Sequence, residues 1–342
     1  MQIIKSTNGF PYAWRAGRIE QLIQNILENK CRQQLTVDRV MFINPTWMHE
    51  TNIAEDIEKE NPDFIICHNF VDPAVPKIFD AITQSGRPHL IIGNADQYRL
   101  DFWAMVCDLH FQHYEERDVP VLSTASKYIC LNRKPHPHRV ALVENLILAG
   151  LQNQGHMSLG LPGDRAITID EKFTDEQGIQ DEYGNLGVDE TFVSRRIRND
   201  IFSLGISEVW KNSLLCLVTE TEFNNYYPKN FFTSEKTFKP IIGMRPFFVY
   251  GQAPLRQYLK QSGFDVFEDV FDYSQVDTTA NDPAQQRQYA SVAIAAINAV
   301  GDPAKEYANK YFGRCQYNKN HFRKYVYQQW HRLYDLDLTQ YV

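Results

Sequence analysis

Short apolar runs alternate with helix-length amphipathic segments through the first third of the chain, and this alternation limits the fold more than any other feature. "MQIIKS", "DRVMFINP", "DFIICHNF" and "HLIIGNAD" are separated by "RIEQLIQNILENK", "IAEDIEKE" and "PKIFDAITQSG". A strand buried on both faces reads as a continuous apolar run, and consecutive parallel strands need a helix-length crossover. The pattern therefore predicts a parallel sheet with helices packed on it, an α/β architecture. Asn44, Asn69 and Asn94 each fall at or just past the end of a run, where the loops of a parallel sheet usually build a site. Turn chemistry is the simpler account of any one of them.

"YEERDVPVLSTASK" interrupts the pattern with charges, Pro120 and small polar residues, which marks a linker over 114–127. The pattern restarts in "YICLNRKPHPHRVALVENLILAGL", returns in "NSLLCLVTET" and ends in three helical stretches. A chain of 342 residues exceeds the usual size of one hydrophobic core. The expected division is a first α/β domain over 1–125, a second over 126–316 and a terminal helical segment over 317–342. Residues 161–200 carry many charges and little periodicity, and read as a solvated excursion from the second domain. Its "SRRIR" run, Arg195 to Arg198, reads as a solvated helix face, with a charged acceptor as the alternative.

A net charge of −7 argues against a general polyanion binder, which needs an excess of Lys and Arg on one face. Cys31, Cys67, Cys107, Cys130, Cys216 and Cys315 form no C-x-x-C pair, a usage that suits reduced thiols and a cytoplasmic location. No run approaches bilayer length, so no transmembrane segment is expected.

Two stretches carry candidate chemistry. In "LNRKPHPHRVALVENL", Arg139 stands at the start of a predicted helix, with Asn132, Arg133 and Lys134 in the loop before it. A cation there opposes the helix dipole unless an anion is bound between the side chain and the backbone N–H groups. A solvated Arg139 paired with Glu144 is the alternative. In "NSLLCLVTETEF", a buried strand delivers Glu220, and "TSEKTF" then begins a helix with Thr233 or Ser234 as N-cap. Glu235 suits the dipole of that first turn; Lys236 does not. Such a carboxylate can accept two sugar hydroxyls while the neighbouring ammonium reaches a phosphate. Pro240 requires this helix to be short or kinked.

A strand, an acidic loop and "TSEKTFKPIIGMRPFFVYG" together resemble the donor-binding signature of GT-B fold glycosyltransferases related to the α-1,3-fucosyltransferases and to exostosin-like transferases. The upstream "LNRKPHPHR" is similar to that family's diphosphate loop of Asn, spacer and Arg. The resemblance covers the second domain best, from Tyr128 to Gly251. It implies two Rossmann-like domains facing each other across a cleft, the first on the acceptor side, with the terminal segment returning to the first domain. It also implies that Asn132, Arg133, Arg139, Glu220, Thr233, Ser234, Glu235 and Lys236 bind a nucleoside-diphosphate sugar, a GDP-sugar or a UDP-sugar, as donor substrate, with no tightly bound cofactor.

In the first domain "HLIIGNADQYRLDFWAMVCD" looks like the place where the fucosyltransferases carry a catalytic Glu shortly after a Gly. Asp96 is the nearest carboxylate here, and the resemblance gives it the role of base in an inverting transfer. An ordinary Asp, with a pKa of about 3.9, would depend on an aligned acceptor hydroxyl more than on a shifted pKa. Arg139, Lys236 and the helix N-termini would stabilise the departing diphosphate without a divalent metal. The expected acceptor is a glycan; a modified DNA base fits poorly with a pI of 5.8.

Other readings compete with this one. Cys107, His110 and His113 have a spacing that could hold zinc, but no fourth ligand is evident nearby. His68 and Glu116 stand behind Asp96 as candidate bases. The D-x-D of Asp335 and Asp337 lies in the terminal segment and reads as surface charge, not as a metal clamp. A nucleotide-sugar epimerase or hydrolase of the same fold, and a non-catalytic carbohydrate-binding or structural protein, are the competing classes.

Overall fold

A computed structural model of the chain describes residues 1–5, 15–44, 52–69, 76–93, 97–111, 126–132, 136–159, 207–221, 223, 231–277 and 282–342. The strands are β1 (Gln2–Lys5), β2 (Arg39–Ile43), β3 (Phe64–Asn69), β4 (His89–Gly93), β5 (Tyr98–Arg99), β6 (Ser126–Asn132), β7 (Gly155–Leu159), β8 (Ser213–Thr219) and β9 (Phe247–Tyr250). The α-helices are α1 (Arg15–Gln34), α2 (Ile53–Glu60), α3 (Pro76–Gln84), α4 (Phe102–Phe111), α5 (Pro137–Leu148), α6 (Ser207–Asn212), α7 (Glu235–Ile242), α8 (Ala253–Gln261), α9 (Asp282–Ala299), α10 (Pro303–Glu306) and α11 (Phe312–Asp335). The architecture is α/β with two parallel sheets. Two compact units divide the chain: Met1–Asp108 with Asn225–Thr233 and Lys324–Val342, and Leu109–Asn224 with Ser234–Arg323.

The first unit holds a parallel sheet of order β1-β2-β3-β4-β5. Successive side chains of a strand point to opposite faces. Accordingly Met41, Ile43, Ile65 and Cys67 form one core cluster with Ile53 and Ile57 of α2 and with Ile78, Phe79 and Ile82 of α3. Helix α1 buries Ile19, Ile23, Leu27 and Cys31, one residue per turn on a single stripe. The end of the chain belongs to this unit. Lys30 Nζ donates to the carbonyls of Tyr334 at 2.5 Å and Leu336 at 2.9 Å. Asp101, fully buried, accepts from Tyr325 Oη and pairs with Arg99 Nη2 at 3.1 Å. Asp337 caps the last turn, accepting from the N–H of Thr339 at 3.0 Å.

The second unit holds a parallel sheet of order β7-β6-β8-β9. From β6 the chain steps outward to β7 on one side, and β8 and β9 then build on the other. The strand order thus reverses between β6 and β8. Such a reversal opens a crevice at the carboxyl ends of the two strands, where open α/β sheets bind ligands. All seven residues of β8 are buried, which accounts for its unbroken apolar run.

Gly155 opens β7 beside Tyr128 of β6, whose Oη donates to the Leu151 carbonyl at 3.1 Å. A Cβ at Gly155 would lie 2.4 Å from the Tyr128 ring, and Tyr128 is fully buried. Overpacking of this kind costs about 1–3 kcal/mol. Gly155→Ala is therefore expected to lower the unfolding free energy of the second unit by that order, read as a lower urea midpoint. An unchanged midpoint would mean that the Tyr128 ring has room to move.

Candidate functional site

Three segments meet at the crevice between β6 and β8. Strand β6 ends in Asn132, β8 ends in Thr219 followed by Glu220, and α5 begins just beyond β6. Thr219 Oγ1 donates to Asn132 Oδ1 and so ties the two strand ends, while Asn132 Nδ2 donates to Cys130 Sγ at 3.3 Å. Arg139, 2% exposed, turns from the first turn of α5 toward β8. Its Nη2 donates to the carbonyls of Thr219 at 3.3 Å and Glu220 at 3.0 Å. His138 Nε2 reaches the same Glu220 carbonyl at 2.9 Å.

The Glu220 carboxylate organises the other side of the crevice. It is fully buried. Oε1 accepts from the Ser234 N–H at 3.2 Å and from Thr237 Oγ1; Oε2 accepts from Ser234 Oγ at 2.6 Å and the Thr221 N–H at 3.1 Å. A carboxylate against the N-terminus of α7 complements both its dipole and its unsatisfied N–H groups. Ser234 is the N-cap, its Oγ accepting from the Lys236 N–H at 3.2 Å. Helix α7 is eight residues long and ends two residues after Pro240. Gly251, after β9, makes the close approach possible: a Cβ there would stand 3.0 Å from Glu220 Cβ.

Lys236 Nζ pairs with Glu235 Oε1 at 2.9 Å, with Ser234 Oγ at 3.3 Å and Thr221 Oγ1 at 3.4 Å. Burial raises the Glu235 pKa, but Lys236 and Lys239 outweigh it and hold the carboxyl below its usual range. Glu235 is ionised at neutral pH. The carboxylate and ammonium singled out in the sequence thus neutralise each other across adjacent positions, beside the capped helix end.

His138 has the opposite character. Burial, and then the Arg139 guanidinium, lower its pKa to about 3, with His136 and Lys236 acting in the same sense. It is a neutral imidazole that donates from Nε2. Its ring stacks on Phe223, with centroids 5.5 Å apart and planes 16° apart, and meets Tyr250 edge-on. Arg139, His136 and Lys236 all disfavour a further proton on this ring, while the Glu220 carbonyl to which it donates favours one.

Of the residues expected to bind a donor, Asn132, Arg139, Glu220, Ser234, Glu235 and Lys236 come together within the second unit. Thr233 does not join them. It belongs to the first unit, where its Oγ1 donates to Asp101 Oδ1 at 3.4 Å. Arg133, Asp96, His113, Glu116 and Arg195 to Arg198 lie outside the described residues. Cys107 is buried in α4, and among the described residues no group of three His, Cys, Asp or Glu side chains is placed to hold a metal ion. His68 is buried at the end of β3, its Nδ1 3.4 Å from Glu20 Oε1, which also accepts from Asn44 Nδ2 at 2.6 Å.

Sequence reasoning missed His138, Thr237 and Phe223. Ser234 and Thr237, three apart at a helix start, were a usable signal, since that spacing puts two hydroxyls on one face. The His138 contact spans 82 positions and had no local signal.

These elements define a two-unit α/β protein with Arg139 and Lys236 gathered at the strand reversal of its second sheet. A scan against protein-family models finds none that matches the chain, and a search of curated proteins finds no match. Among the described residues no helix is long and apolar enough to cross a membrane.

Proposed function

We propose that the chain is a metal-independent, inverting glycosyltransferase of the GT-B type, moving a sugar from a nucleoside-diphosphate sugar to a hydroxyl of a glycan. The observation that carries this reading is that Arg139 and Lys236 gather around Glu220 at the reversal between β6 and β8: Arg139 donates to its carbonyl, and Lys236 donates to the Ser234 hydroxyl that holds its carboxylate at the N-terminus of α7. An anion bound there meets the Arg139 guanidinium, the Lys236 ammonium that it shares with Glu235, and a helix end, an arrangement that stabilises a leaving diphosphate. Glu220 is a positioning residue in this scheme, because its carboxylate is fully engaged in holding α7. Asp96 takes the acceptor proton as the hydroxyl oxygen attacks the anomeric carbon; the bond from that carbon to the diphosphate oxygen breaks and its electron pair leaves with the diphosphate. A cytoplasmic setting belongs to the same proposal and is supported by six buried thiols.

Thermal unfolding with GDP, UDP and their sugar conjugates tests the reading. A ligand that binds only the folded state at a hundred times its Kd adds about 2.7 kcal/mol. At least one nucleoside diphosphate is expected to raise the midpoint, with the effect weakened tenfold or more in affinity by Lys236→Ala or Arg139→Ala. Asp96→Asn is expected to retain donor binding and lose transfer. No response to any nucleotide favours a non-catalytic protein, and binding without acceptor-dependent release of diphosphate favours an epimerase or hydrolase.

A further inference from the structure

The chain leaves the first unit at Thr233 and enters the second at Ser234. Each of these neighbours is gripped within its own unit. In the first, the grip is Arg99 of β5. Its Nη1 donates to the Phe231 carbonyl at 2.9 Å, its guanidinium lies 3.7 Å from the centre of the Phe231 ring, and its Nη2 pairs with Asp101 Oδ1 at 3.1 Å. Asp101 in turn accepts from Thr233 Oγ1 at 3.4 Å. A planar guanidinium can hold a carbonyl, a carboxylate and an aromatic face together, which an ammonium cannot. Phe231, Phe232 and Thr233 are all buried, so packing fixes the residues before the cap as well. In the second unit, Ser234 gives its N–H and its hydroxyl to the Glu220 carboxylate, and the same hydroxyl accepts from the N–H and the Nζ of Lys236. One planar peptide separates the two grips, leaving only ψ of Thr233 and φ of Ser234 to turn between them. A shift of the 231–233 segment is therefore passed to the Ser234 N–H, and with it to the start of α7.

We propose that Arg99, a residue of the first unit, is a positioning residue for the donor site of the second: through Phe231 and Thr233 it fixes the capped end of α7 on which Lys236 stands. The inference rests on the donor reading above and adds a residue which that reading does not use. Glu220 holds Ser234 from one side of the peptide and Arg99 holds Thr233 from the other, so the helix start keeps its place only while both grips hold. A displacement of about 1 Å at a site can cost on the order of a hundredfold in rate even when the altered residue is remote. Arg99 acts by its shape as well as its charge, because only the flat fork reaches Asp101 and the Phe231 carbonyl together while lying on the ring.

Titration calorimetry of the full chain with GDP and UDP tests this in Arg99→Lys, Phe231→Leu and the double variant. Arg99→Lys keeps a cation beside the buried Asp101, and Phe231→Leu keeps the Arg99 pair with Asp101, so each spares the first unit and reports even if the other fails to fold. Each is expected to weaken nucleoside-diphosphate binding by about threefold or more. The double variant should be no weaker than the poorer single one, because both act along one route. Unchanged affinity in either folded single variant overturns the positioning role and leaves the donor site intact, and so do losses that simply add in the double variant. Amide hydrogen exchange without nucleotide gives a second readout. The Ser234 and Lys236 amides are expected to exchange about threefold faster or more in the variants, with those of β8 unchanged. Exchange at Ser234 and Lys236 equal to the wild type would confine the contact of Arg99 to the first unit and overturn the proposal. Failure of the wild-type protein to bind either nucleotide overturns the donor reading, and with it the part of Arg99 in donor binding.

Discussion

Glu220→Ala is expected to destabilise the second unit by roughly 3 kcal/mol or more and to abolish its response to nucleotides. The carboxylate is fully buried and accepts from Ser234 N–H, Ser234 Oγ, Thr237 Oγ1 and the Thr221 N–H. Hydrogen bonds to a charged group contribute about 1.5–3 kcal/mol each, and a buried donor left without its acceptor costs about 1–3 kcal/mol. Their sum exceeds the net effect because the charge itself is costly to bury, which is why the expected figure stays near the contribution of one or two such bonds. Urea unfolding followed by circular dichroism measures it. Glu220→Gln keeps the shape and one acceptor oxygen, so its loss should be smaller, with α7 still attached. A Glu220→Ala protein as stable as the wild type would show that α7 needs no anchor at the end of β8, and the role given to Glu220 would be wrong.

The second large effect is acid sensitivity. His138 has a folded-state pKa lowered to about 3 by burial and by Arg139, His136 and Lys236, against about 6.5 in the unfolded chain. Between these values the unfolded state binds a proton that the folded state refuses, so stability rises with pH and falls on acidification. The contribution is constant above about pH 6.5 and is eroded as pH drops toward the folded value. From pH 7 to pH 5 the loss from this one group is about 2 kcal/mol. The full span to pH 3 is on the order of 4 kcal/mol. Glu235, whose carboxyl is held low by Lys236 and Lys239 after burial has raised it, adds to the loss only at lower pH, near and below the ordinary carboxylate range. Comparing urea unfolding at pH 7 and pH 5 in wild type and His138→Gln isolates the histidine. The variant should show a pH dependence weaker by about 2 kcal/mol; equal dependence in the two proteins would place an ordinary, protonatable imidazole at 138.

Much of the architecture was readable because it rests on short-range rules. The apolar runs of β2, β3, β4, β6 and β8 and the helical stripe of α1 each lie within a window of a few turns or a few strand residues. A cap at Thr233 or Ser234 and the short helix through Pro240 follow from the chemistry of adjacent residues. The pairing of Lys236 with Glu235 was not foreseen, because the same two side chains can reach for a ligand or for each other, and the choice depends on burial. Thr233 and Ser234 show the limit most directly. As sequence they are interchangeable caps, but Thr233 donates to Asp101 in the first unit and Ser234 to Glu220 in the second.

The order of polar and apolar residues by itself determined that the chain forms two parallel sheets with helices, and which residues start the helix after β8. Periodicity and capping act between near neighbours, so a string of residues states them directly. Only the tertiary structure decided that the strand order reverses between β6 and β8, that Glu220 anchors α7, and that a neutral His138 shares the Glu220 carbonyl with Arg139. Those facts depend on contacts such as that of His138 with Glu220, 82 positions apart. The physical reason is that strand order, not distance along the chain, sets which side chains share a buried, weakly screened volume.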